Sequence, residues 1–430
     1  MAIARRPVPR RQALAAGPGQ SLWRDGQFRT FWSAQTVSEL GDRVTELALP
    51  LIAVTLLEAT PAEVGLLTAA VWLPNIASLF IGAWVDQRRS KRGLMIAADL
   101  ARLLILVSLP AASWLGLLTL GQLYVIAILA GTAHVLFNTA YASFFVRLVA
   151  REQFLDASSK LSATRSISFM VGPAAGGVLI QWLSAPVAVL ADALSFAFSA
   201  IQLSRLRTPS LEPEPATEAL LRRAWAGMRY VLRHPYLRAS LGSATTVNFF
   251  NFIGSALLIL FASRELGLSA GNIGLAMGIG ASGGLLGAAA ATPLTRIIGA
   301  GRLIAMGAVV FPGAIAIAAA AGGPIWLRAA TLAAAEFVGA FAVMCFDVPL
   351  NALQASVTDE GMRSRVSGAF STINYGIRPL GAVVGGLLGT WVGVRETLLI
   401  SALGGLIAVI WLIRSPIIHV RELGGLEPPR

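Results

Sequence analysis

Long apolar blocks alternate with short polar breaks along almost the whole chain. Twelve blocks approach or exceed the roughly 20 residues that a helix needs to cross a bilayer. They lie near residues 32–57, 63–85, 94–116, 120–146, 162–183, 186–206, 240–263, 270–293, 301–321, 324–350, 367–392 and 396–414. Some breaks, such as Leu183 to Pro186, leave room only for a tight turn between antiparallel neighbours. The pattern predicts an all-α transmembrane protein with twelve spans.

The two halves of the chain share sequence features. The pair Gly176-Gly177 in the fifth block recurs as Gly385-Gly386 in the eleventh, and the offset of 209 residues is close to half of the 430 residues. Parallel half-repeats with a binding site between them are a common transporter architecture. We therefore expect two six-helix bundles that are related by pseudo-two-fold symmetry.

Polar stretches divide the chain into five parts. The expected divisions are a cytoplasmic N-terminal tail at 1–30, a six-helix bundle at 31–206, a cytoplasmic central linker at 207–238, a second six-helix bundle at 239–414 and a cytoplasmic C-terminal tail at 415–430. The linker begins with the Pro- and Glu-rich sequence TPSLEPEPATE. It continues with an amphipathic stretch whose apolar side carries Leu220, Leu221, Trp225, Met228 and Val231. This stretch predicts a surface helix at the inner leaflet.

Composition and charge place the protein in a membrane. Hydrophobic residues make up 56% of the chain and charged residues 13%, whereas a soluble globular protein has about 25% charged residues. The net charge of +12 comes from Arg clusters between apolar blocks, without an aromatic-studded basic domain, so no nucleic-acid partner is expected.

The basic residues are unevenly distributed between the two sides. The breaks on one side contain Arg88, Arg89, Lys91, Arg92, Arg147, Arg151, Arg222, Arg223, Arg229, Arg233, Arg238, Arg363 and Arg365. The breaks on the other side contain Arg264, Arg328 and Arg395. The positive-inside rule then predicts a multi-pass protein of the cytoplasmic membrane with both termini in the cytoplasm. The N-terminal stretch lacks the apolar core of a signal peptide.

The first span carries a stripe of polar side chains. Gln35, Glu39, Asp42 and Glu46 are spaced by four, three and four residues, so they share one helix face together with Arg43. Such a face cannot point at lipid and must line a cavity or meet partners. A carboxyl group that takes up and releases protons is what a proton-coupled carrier needs. The alternative for Glu39 is a structural pair with Arg43, which leaves Asp42 and Glu46 as the better proton carriers.

Two charges stand deep in the second half. Glu336 lies near the middle of the tenth span, and Arg378 precedes Pro379 in the eleventh. We expect Glu336 to take part in proton coupling, and the alternative is a structural pair with Arg378. Three roles are open for Arg378, because it could pair with Glu336, oppose the acids of the first span or contact an anionic substrate. Asp347 is placed at a gate or a packing contact.

Other polar side chains within the spans are candidates for lining a substrate path. Arg102 and Arg165 are placed near cytoplasmic helix ends, where they would snorkel or pair with acids such as Asp86. His134 is either pore-facing or a satisfied structural histidine. The substrate-lining candidates are Gln35, His134, Asn138, Asn248, Asn251, Asn374 and Tyr375.

The loop after the second span, GAWVDQRRSKRG, resembles the loop 2–3 signature of the major facilitator superfamily. The resemblance implies the twelve-helix major facilitator fold and a cytoplasmic latch against the eleventh helix. The latch residues by this resemblance are Gly82, Asp86, Arg88, Arg89, Lys91, Arg92, Arg363 and Arg365. The corresponding loop after the eighth span, TPLTRIIGAGR, lacks the acid, so the latch is expected to be asymmetric.

The fifth span contains Gly172, Pro173, Gly176 and Gly177. A proline inside a helix removes a backbone hydrogen bond and kinks the helix, and the glycines allow a neighbour to pack closely. The segment looks like the helix 5 signature of exporters in the same superfamily, although Ser168 stands where that signature usually has glycine.

Further segments, including IAADLARLL and ADALSFAFSA, are similar to the drug:proton antiporter branch that contains macrolide-efflux proteins and the enterobactin exporter. The resemblance implies proton-driven export of amphipathic small molecules or drugs, and a monomer is expected. The alternatives are a siderophore or lysophospholipid carrier, and a non-transporting scaffold or sensor on the same fold.

Enzyme chemistry is not expected. The chain has no phosphate-binding Gly-Lys-Ser/Thr loop, so ATP is not the expected energy source. Three histidines and the single Cys345 offer no metal site or nucleophile–base set, so no metal or cofactor is expected. The expected partners are protons, a small amphipathic substrate and the lipid bilayer.

Overall fold

The computed structural model describes residues 21–206 and 220–422. The first 20 residues of the predicted N-terminal tail, the segment 207–219 with TPSLEPEPATE, and residues 423–430 of the predicted C-terminal tail lie outside this description, as do the side chains of Arg151, Leu220, Leu221 and Arg223.

Twelve long helices make up most of the described residues, and no β-strand occurs among them. The helices are α1 Gly26–Leu51, α2 Pro61–Asp86, α3 Lys91–Trp114, α4 Leu120–Leu148, α5 Phe154–Leu183, α6 Ala185–Arg205, α7 Pro235–Glu265, α8 Ala270–Ile298, α9 Ala300–Ala319, α10 Ile325–Ser356, α11 Arg363–Trp391 and α12 Val394–Ile413. Leu220–Arg233 forms a separate linker helix. The predicted twelve-helix fold is confirmed.

The two most polar helices stand apart from the rest. Ten of the twelve are long and apolar enough to cross a membrane by length and composition, within the described residues, and the two outside that group are α1 and α11. These helices carry the polar stripe of the first span and Arg378. Their polarity fits a position at the inside of the bundle rather than against lipid.

The two halves match in backbone detail at the same offset of 209 residues. Helix α1 continues into a π-helical turn at Ile52–Leu56, and α7 ends in one at Phe261–Glu265. The next residues repeat as well, since Glu58 and Gly267 both have positive φ, of 51° and 65°. The duplication seen in the sequence therefore extends to the turns, where side chains alone would not reveal it.

The halves meet most closely at one end of the bundle. We call the end where α1 begins the terminus end and the opposite end the far end. At the far end, α2 packs on α11 and α5 on α8. A Cβ atom built on Gly65 would lie 2.5 Å from the carbonyl oxygen of Ala382 and 2.7 Å from the Cα atom of Gly386. A Cβ on Gly177 would lie 2.5 Å from the carbonyl oxygen of Ala270. Backbone touches backbone at both crossings.

A polar contact also closes the far end. The Ala62 N–H donates to the Thr390 hydroxyl oxygen at 3.0 Å. Towards the terminus end α2 and α11 make fewer contacts, and a cavity opens there in the second half. The molecule is therefore closed at the far end and open at the terminus end.

The three arginines of the far-end loops have structural partners. Arg264 donates to the Val54 carbonyl at 2.8 Å, Arg328 to the Leu266 carbonyl at 3.0 Å, and Arg395 to the Ala319 carbonyl at 2.6 Å. Each carbonyl lies at a helix C-terminus, where a cation satisfies unpaired oxygens and the helix dipole. These three arginines cap helices at the far end. Their structural role accounts for the few basic residues there, and most basic residues lie at the terminus end.

The linker helix packs under the second half. Gly227 lies against the backbone of Arg365, and the Tyr230 hydroxyl donates to the Asp359 carboxylate at 3.1 Å. Val231 is fully buried, whereas Trp225 is 68% exposed. The amphipathic face predicted for the inner leaflet is therefore shared between the protein and the surroundings.

Docking of the linker helix should weaken in acid. His234 follows this helix and is buried, and burial lowers the pKa of its imidazole below the usual 6.5, with nearby Asp359 opposing the shift. The docked state favours the neutral ring, so its stability is present above about pH 6.5 and decreases as the pH falls below that value. Hydrogen exchange of residues 225–234, corrected for intrinsic rates, should be faster at about pH 5.5 than at about pH 7.5.

The variant His234→Gln is the control for this prediction. It cannot titrate, so its corrected exchange in the same segment should be independent of pH over that range. An equal acid effect in wild type and variant would contradict the assignment to His234.

Candidate functional site

The polar stripe of α1 pairs with other helices and within itself. Glu39 accepts from Arg165 of α5 at 3.2 Å. Arg43 pairs with Glu46 one turn further along, and its guanidinium carbon lies 4.1 Å from the ring centre of Phe169. The alternative pair of Glu39 with Arg43 is therefore not formed. Gln35 is buried, and its side-chain amide has no hydrogen-bond partner.

Arg102 lies in the middle of a buried ion-pair network. Its guanidinium pairs with Asp99 at 2.7 Å and with Asp42 of α1 at 3.5 Å. The ring of Phe196 lies 3.9 Å from its guanidinium carbon. Asp99 is fully buried and Arg102 is 3% exposed. The network joins α1, α3 and α6 in the interior of the first half.

Arg102 and Arg165 pair with acids, which was one of the two predicted alternatives, but the acid is not Asp86 in either case. Each is the twelfth residue of its helix, about 17 Å from the helix start at 1.5 Å per residue. Arg102 is buried between acids, and Arg165 reaches across to α1.

Asp192 of α6 is a buried acid that the sequence reasoning missed. It is 1% exposed and accepts hydrogen bonds from the Thr45 hydroxyl and, at 3.2 Å, from the Ser195 hydroxyl. No cation lies within ion-pair distance among the described residues. A Cβ on Gly41 would come 2.5 Å from Asp192 Oδ1, so the glycine makes room for the carboxyl group. An Asp inside the apolar stretch ADALSFAFSA was the available signal.

These side chains form one cluster, which we call the N-half charge cluster. Its members are Glu39, Asp42, Arg43, Glu46, Asp99, Arg102, Arg165 and Asp192. Five carboxyl groups therefore face three guanidinium groups. Burying a charge without a counter-charge is costly, and a bound proton removes that cost. The arrangement can hold protons within the first half.

His134 and Asn138 lie next to this cluster on α4. The His134 Nε2 and Asn138 Nδ2 atoms are 2.7 Å apart, one helical turn along. The amide is a donor, so His134 Nε2 accepts and the proton of a neutral ring resides on Nδ1. Both alternatives for His134 therefore remain open. The contact with Asn138 gives the ring a hydrogen-bond partner, as a structural histidine needs, and the ring also lies beside the charged side chains.

A cavity of about 580 Å³ opens in the second half, between α7, α10 and α11. Thr358 and Arg363 lie at its terminus-end mouth, and Phe252 and Arg378 at its inner end. The predicted lining residues Asn248, Asn251, Asn374 and Tyr375 all face it, and Asp347 does too. The volume is in the usual range for small-molecule sites, about 300–1,000 Å³.

Arg378 is held at the inner end of this cavity. Its Nε–H donates to Asn248 Oδ1 at 3.1 Å. Three rings surround its guanidinium carbon, with centres at 4.4 Å for Trp72, 4.6 Å for Tyr375 and 5.2 Å for Phe252. Trp72 belongs to α2, so this cage joins the two halves.

Glu336 stands apart from both sites. It packs against Gly280 of α8, and among the described residues it has no ion pair. The alternative pair with Arg378 is not formed, since Arg378 is turned to Asn248. Glu336 is therefore a half-buried acid of the second half that lies outside the cavity.

The helix 5 motif brings α5 close to two neighbours. Gly172 lies against the Arg43 side chain and Gly176 against the Val44 backbone, while Gly177 meets α8. Helix α5 runs through Pro173 without interruption. The small residues thus connect the charge cluster with the crossing between the halves.

The predicted latch residues lie apart at the open end. Asp86 is exposed at the end of α2, and Arg88 lies 4.3 Å over the Trp84 ring. Arg363 pairs with Glu360 at 3.8 Å within its own half. In this state, no described ion pair joins Asp86 to the second half, as a molecule open at this end requires.

Comparison with known proteins identifies a family and several relatives of this chain. A family model described as transmembrane secretion effector matches residues 19–425. The uncharacterized MFS-type transporter YfiS of Bacillus subtilis (strain 168) is 28% identical over 395 residues, which cover 89% of this chain and 91% of that protein. The multidrug efflux pump Tap of Mycolicibacterium fortuitum is 26% identical over 408 residues, which cover 90% and 95%.

Solved structures share the fold at low identity. A bacterial homologue of the iron transporter ferroportin in its inward-facing state superposes with a TM-score of 0.70 at 16% identity, covering 92% of this chain and 99% of that one. The nucleoside transporter NupG has a TM-score of 0.70 at 12% identity, covering 90% and 98%. With the twelve-helix fold and a family match over nearly its full length, the chain belongs to the transmembrane secretion effector family of the major facilitator superfamily, whose members are transporters and not enzymes.

Proposed function

We propose that the protein is a proton-coupled exporter of amphipathic small molecules that works by alternating access. The observation that carries the proposal is the N-half charge cluster, in which five carboxyl groups face three guanidinium groups. A non-transporting scaffold or sensor has no use for surplus acids in its interior, because each costs stability. A carrier that exchanges protons for substrate needs them.

The main proton site and the substrate site are assigned to different halves. The N-half charge cluster takes up and releases protons, with Asp42 and Asp192 as the central carboxyl groups and Glu46 as a further candidate. Glu336 is the proton candidate of the second half, outside the substrate cavity. The cavity of the second half receives the substrate near the membrane midplane, as transporter architecture favours. Crossing glycines between the halves allow one half to rock against the other.

The proposed direction of transport is export. Most basic residues flank the terminus end, so the positive-inside rule puts both termini in the cytoplasm, and the membrane is then the cell membrane. The open cavity faces the cytoplasm in this state, ready to load a substrate for export. The printed name of Tap, a multidrug efflux pump, supports efflux as the direction.

Transport in proteoliposomes tests this proposal. We choose three fluorescent probes that share the dansyl group, the anionic dansylglycine, the neutral dansylglycinamide of the same shape and the cationic dansylcadaverine with a longer chain. A gradient that is acidic inside the vesicles should drive uptake of at least one probe above the level of protein-free vesicles. The variants Asp42→Asn and Asp192→Asn should lower this gradient-driven uptake by about tenfold or more, since general acid–base groups contribute at least that much to proton transfer.

The control is Asp156→Asn, which removes an exposed acid that pairs with Lys160 at the start of α5. It changes the net charge equally and should leave uptake unchanged. The variants Glu46→Gln and Glu336→Gln rank the further candidates. Uptake that ignores the gradient in wild type, or that survives every neutralisation, would sink the proposal of proton coupling through these acids.

A further inference from the structure

We propose that the cavity of the second half selects substrates that carry an anionic group beside an aromatic or apolar body, with Arg378 as the anchor for the anion. This inference rests on the proposed function, because it names the substrate class of that transporter. It concerns binding, however, and can be tested without transport.

The first argument for an anion site is that Arg378 has free hydrogen-bond donors. A guanidinium has five N–H donors in a planar fork. One of them, on Nε, is used by Asn248, and among the described residues the terminal nitrogens donate to no acceptor. No carboxylate lies within 4.0 Å of Arg378 in the described chain. The fork that matches a carboxylate or phosphate in geometry is therefore left open beside the cavity.

The second argument is the aromatic cage, which holds the guanidinium group of Arg378 in place. Trp72, Tyr375 and Phe252 surround the guanidinium at 4.4–5.2 Å. Contacts through ring faces hold the cation and fix its plane without using its N–H donors. A preorganised fork binds an anion at a lower entropic cost than a flexible ammonium would. Two of these rings, Phe252 and Tyr375, also line the cavity and offer apolar surface to the body of the ligand.

The third argument is the set of charged side chains that line the cavity. These side chains are Arg378, Arg363 and one acid, Asp347, and Arg363 at the mouth pairs with Glu360. The rest of the cavity's polar lining is uncharged and dominated by amide side chains. The surplus carboxyl groups of the molecule belong to the N-half charge cluster, and Glu336 does not line the cavity. Arg378 is therefore the charge at the inner end of the cavity, and this end favours an anion over a cation.

Direct binding to the purified full-length protein tests the inference. Fluorescence anisotropy with the three dansyl probes measures affinity without any gradient. Wild type should bind dansylglycine about tenfold more tightly than dansylglycinamide, because a charge-assisted hydrogen bond is gained. Dansylcadaverine should bind no better than the amide. In Arg378→Gln the preference for the anion should disappear, while affinity for the amide stays within about threefold.

Arg296→Gln is the matched control, since Arg296 is exposed and outside the cavity. It removes the same charge and should keep the preference for the anion. Arg378→Lys keeps the charge without the fork and should retain a reduced preference, and it serves as the test if Arg378→Gln does not fold. A melting curve of each variant establishes folding.

Two outcomes would overturn the inference. One is equal binding of the anion and the amide to wild type. The other is an equal loss of all three probes in a folded Arg378→Gln protein, which is the signature of a residue that only joins the two halves. Anion-selective binding together with gradient-independent transport would leave this inference standing and remove the proposed proton coupling, so the two failures are distinguishable.

Discussion

Replacing Arg102 by methionine is expected to destabilise the protein by about 3–5 kcal/mol, the cost of leaving buried acids without their cation. Arg102 pairs with Asp99 at 2.7 Å and with Asp42 at 3.5 Å, and Asp99 is fully buried. Methionine fills a similar volume but carries no charge. In detergent, the melting temperature should fall by roughly 5–10 °C, and gradient-driven uptake should be lost.

A double variant separates the charge effect from packing. Asp99→Asn removes the acid that depends most on Arg102, so adding it to Arg102→Met should restore part of the lost stability, as coupled residues do in a double-mutant cycle. Arg88→Met is the control, because Arg88 is exposed and its loss should change the melting temperature little. If the Arg102→Met protein melts at the same temperature as wild type, the ion-pair network around Arg102 does not stabilise the fold.

Replacing Gly65 by valine is expected to hold the far end open. A Cβ atom there would lie 2.5 Å from the Ala382 carbonyl oxygen, and the obstacle is backbone that cannot rotate away. Overpacking typically costs about 1–3 kcal/mol, and only the state that is closed at the far end has this contact. The equilibrium should shift towards the state open at the far end by about tenfold or more.

Disulfide cross-linking across the far end measures this shift. Ala62→Cys and Thr390→Cys introduce thiols on two neighbouring residues, whose backbone N–H and side-chain hydroxyl now lie 3.0 Å apart. Cys345 is the single native cysteine and is replaced by alanine, so the pair is the only source of a cross-link. Cross-linking should be about tenfold slower with Gly65→Val.

The matched control for this variant is Gly313→Val in α9. A Cβ atom at Gly313 meets nothing within 4 Å, so the same change in helix propensity occurs without a clash. It should leave cross-linking unchanged. Equal rates in all three backgrounds would show that the crossing at Gly65 tolerates a side chain.

The sequence predicted the fold and the polar face of α1 well, because both depend on periodicity. The depth of single charges was harder. The fifth block was predicted to begin near 162, but α5 begins at Phe154, since its first polar turns are helical as well. Arg165 is therefore the twelfth residue of its helix rather than the fourth. An apolar block marks the lipid-facing part of a helix and not its full length.

Ion-pair partners could not be read from spacing within one helix. Glu39 and Arg43 have the favourable separation of four residues, yet Glu39 pairs with Arg165, which lies 126 residues away. Asp192 was overlooked for a related reason. Its carboxyl group is satisfied by Thr45 of another helix and fits because Gly41 lacks a side chain. These partners become visible only when α1 is seen packed against α5 and α6.

The cage around Arg378 gives the cavity a property that neither half has alone. Trp72 is the last residue of the first segment of α2, directly before a 3-10 turn at Leu73–Ala77. The other two rings and Asn248 move with Arg378 in the second half. Any rigid-body rotation that parts α2 from α11 must carry Trp72 away and remove one of the rings that hold Arg378 in place. A ligand anchored by Arg378 would then bind the two states with different affinities. Release on the other side would then be built into the shape of the site.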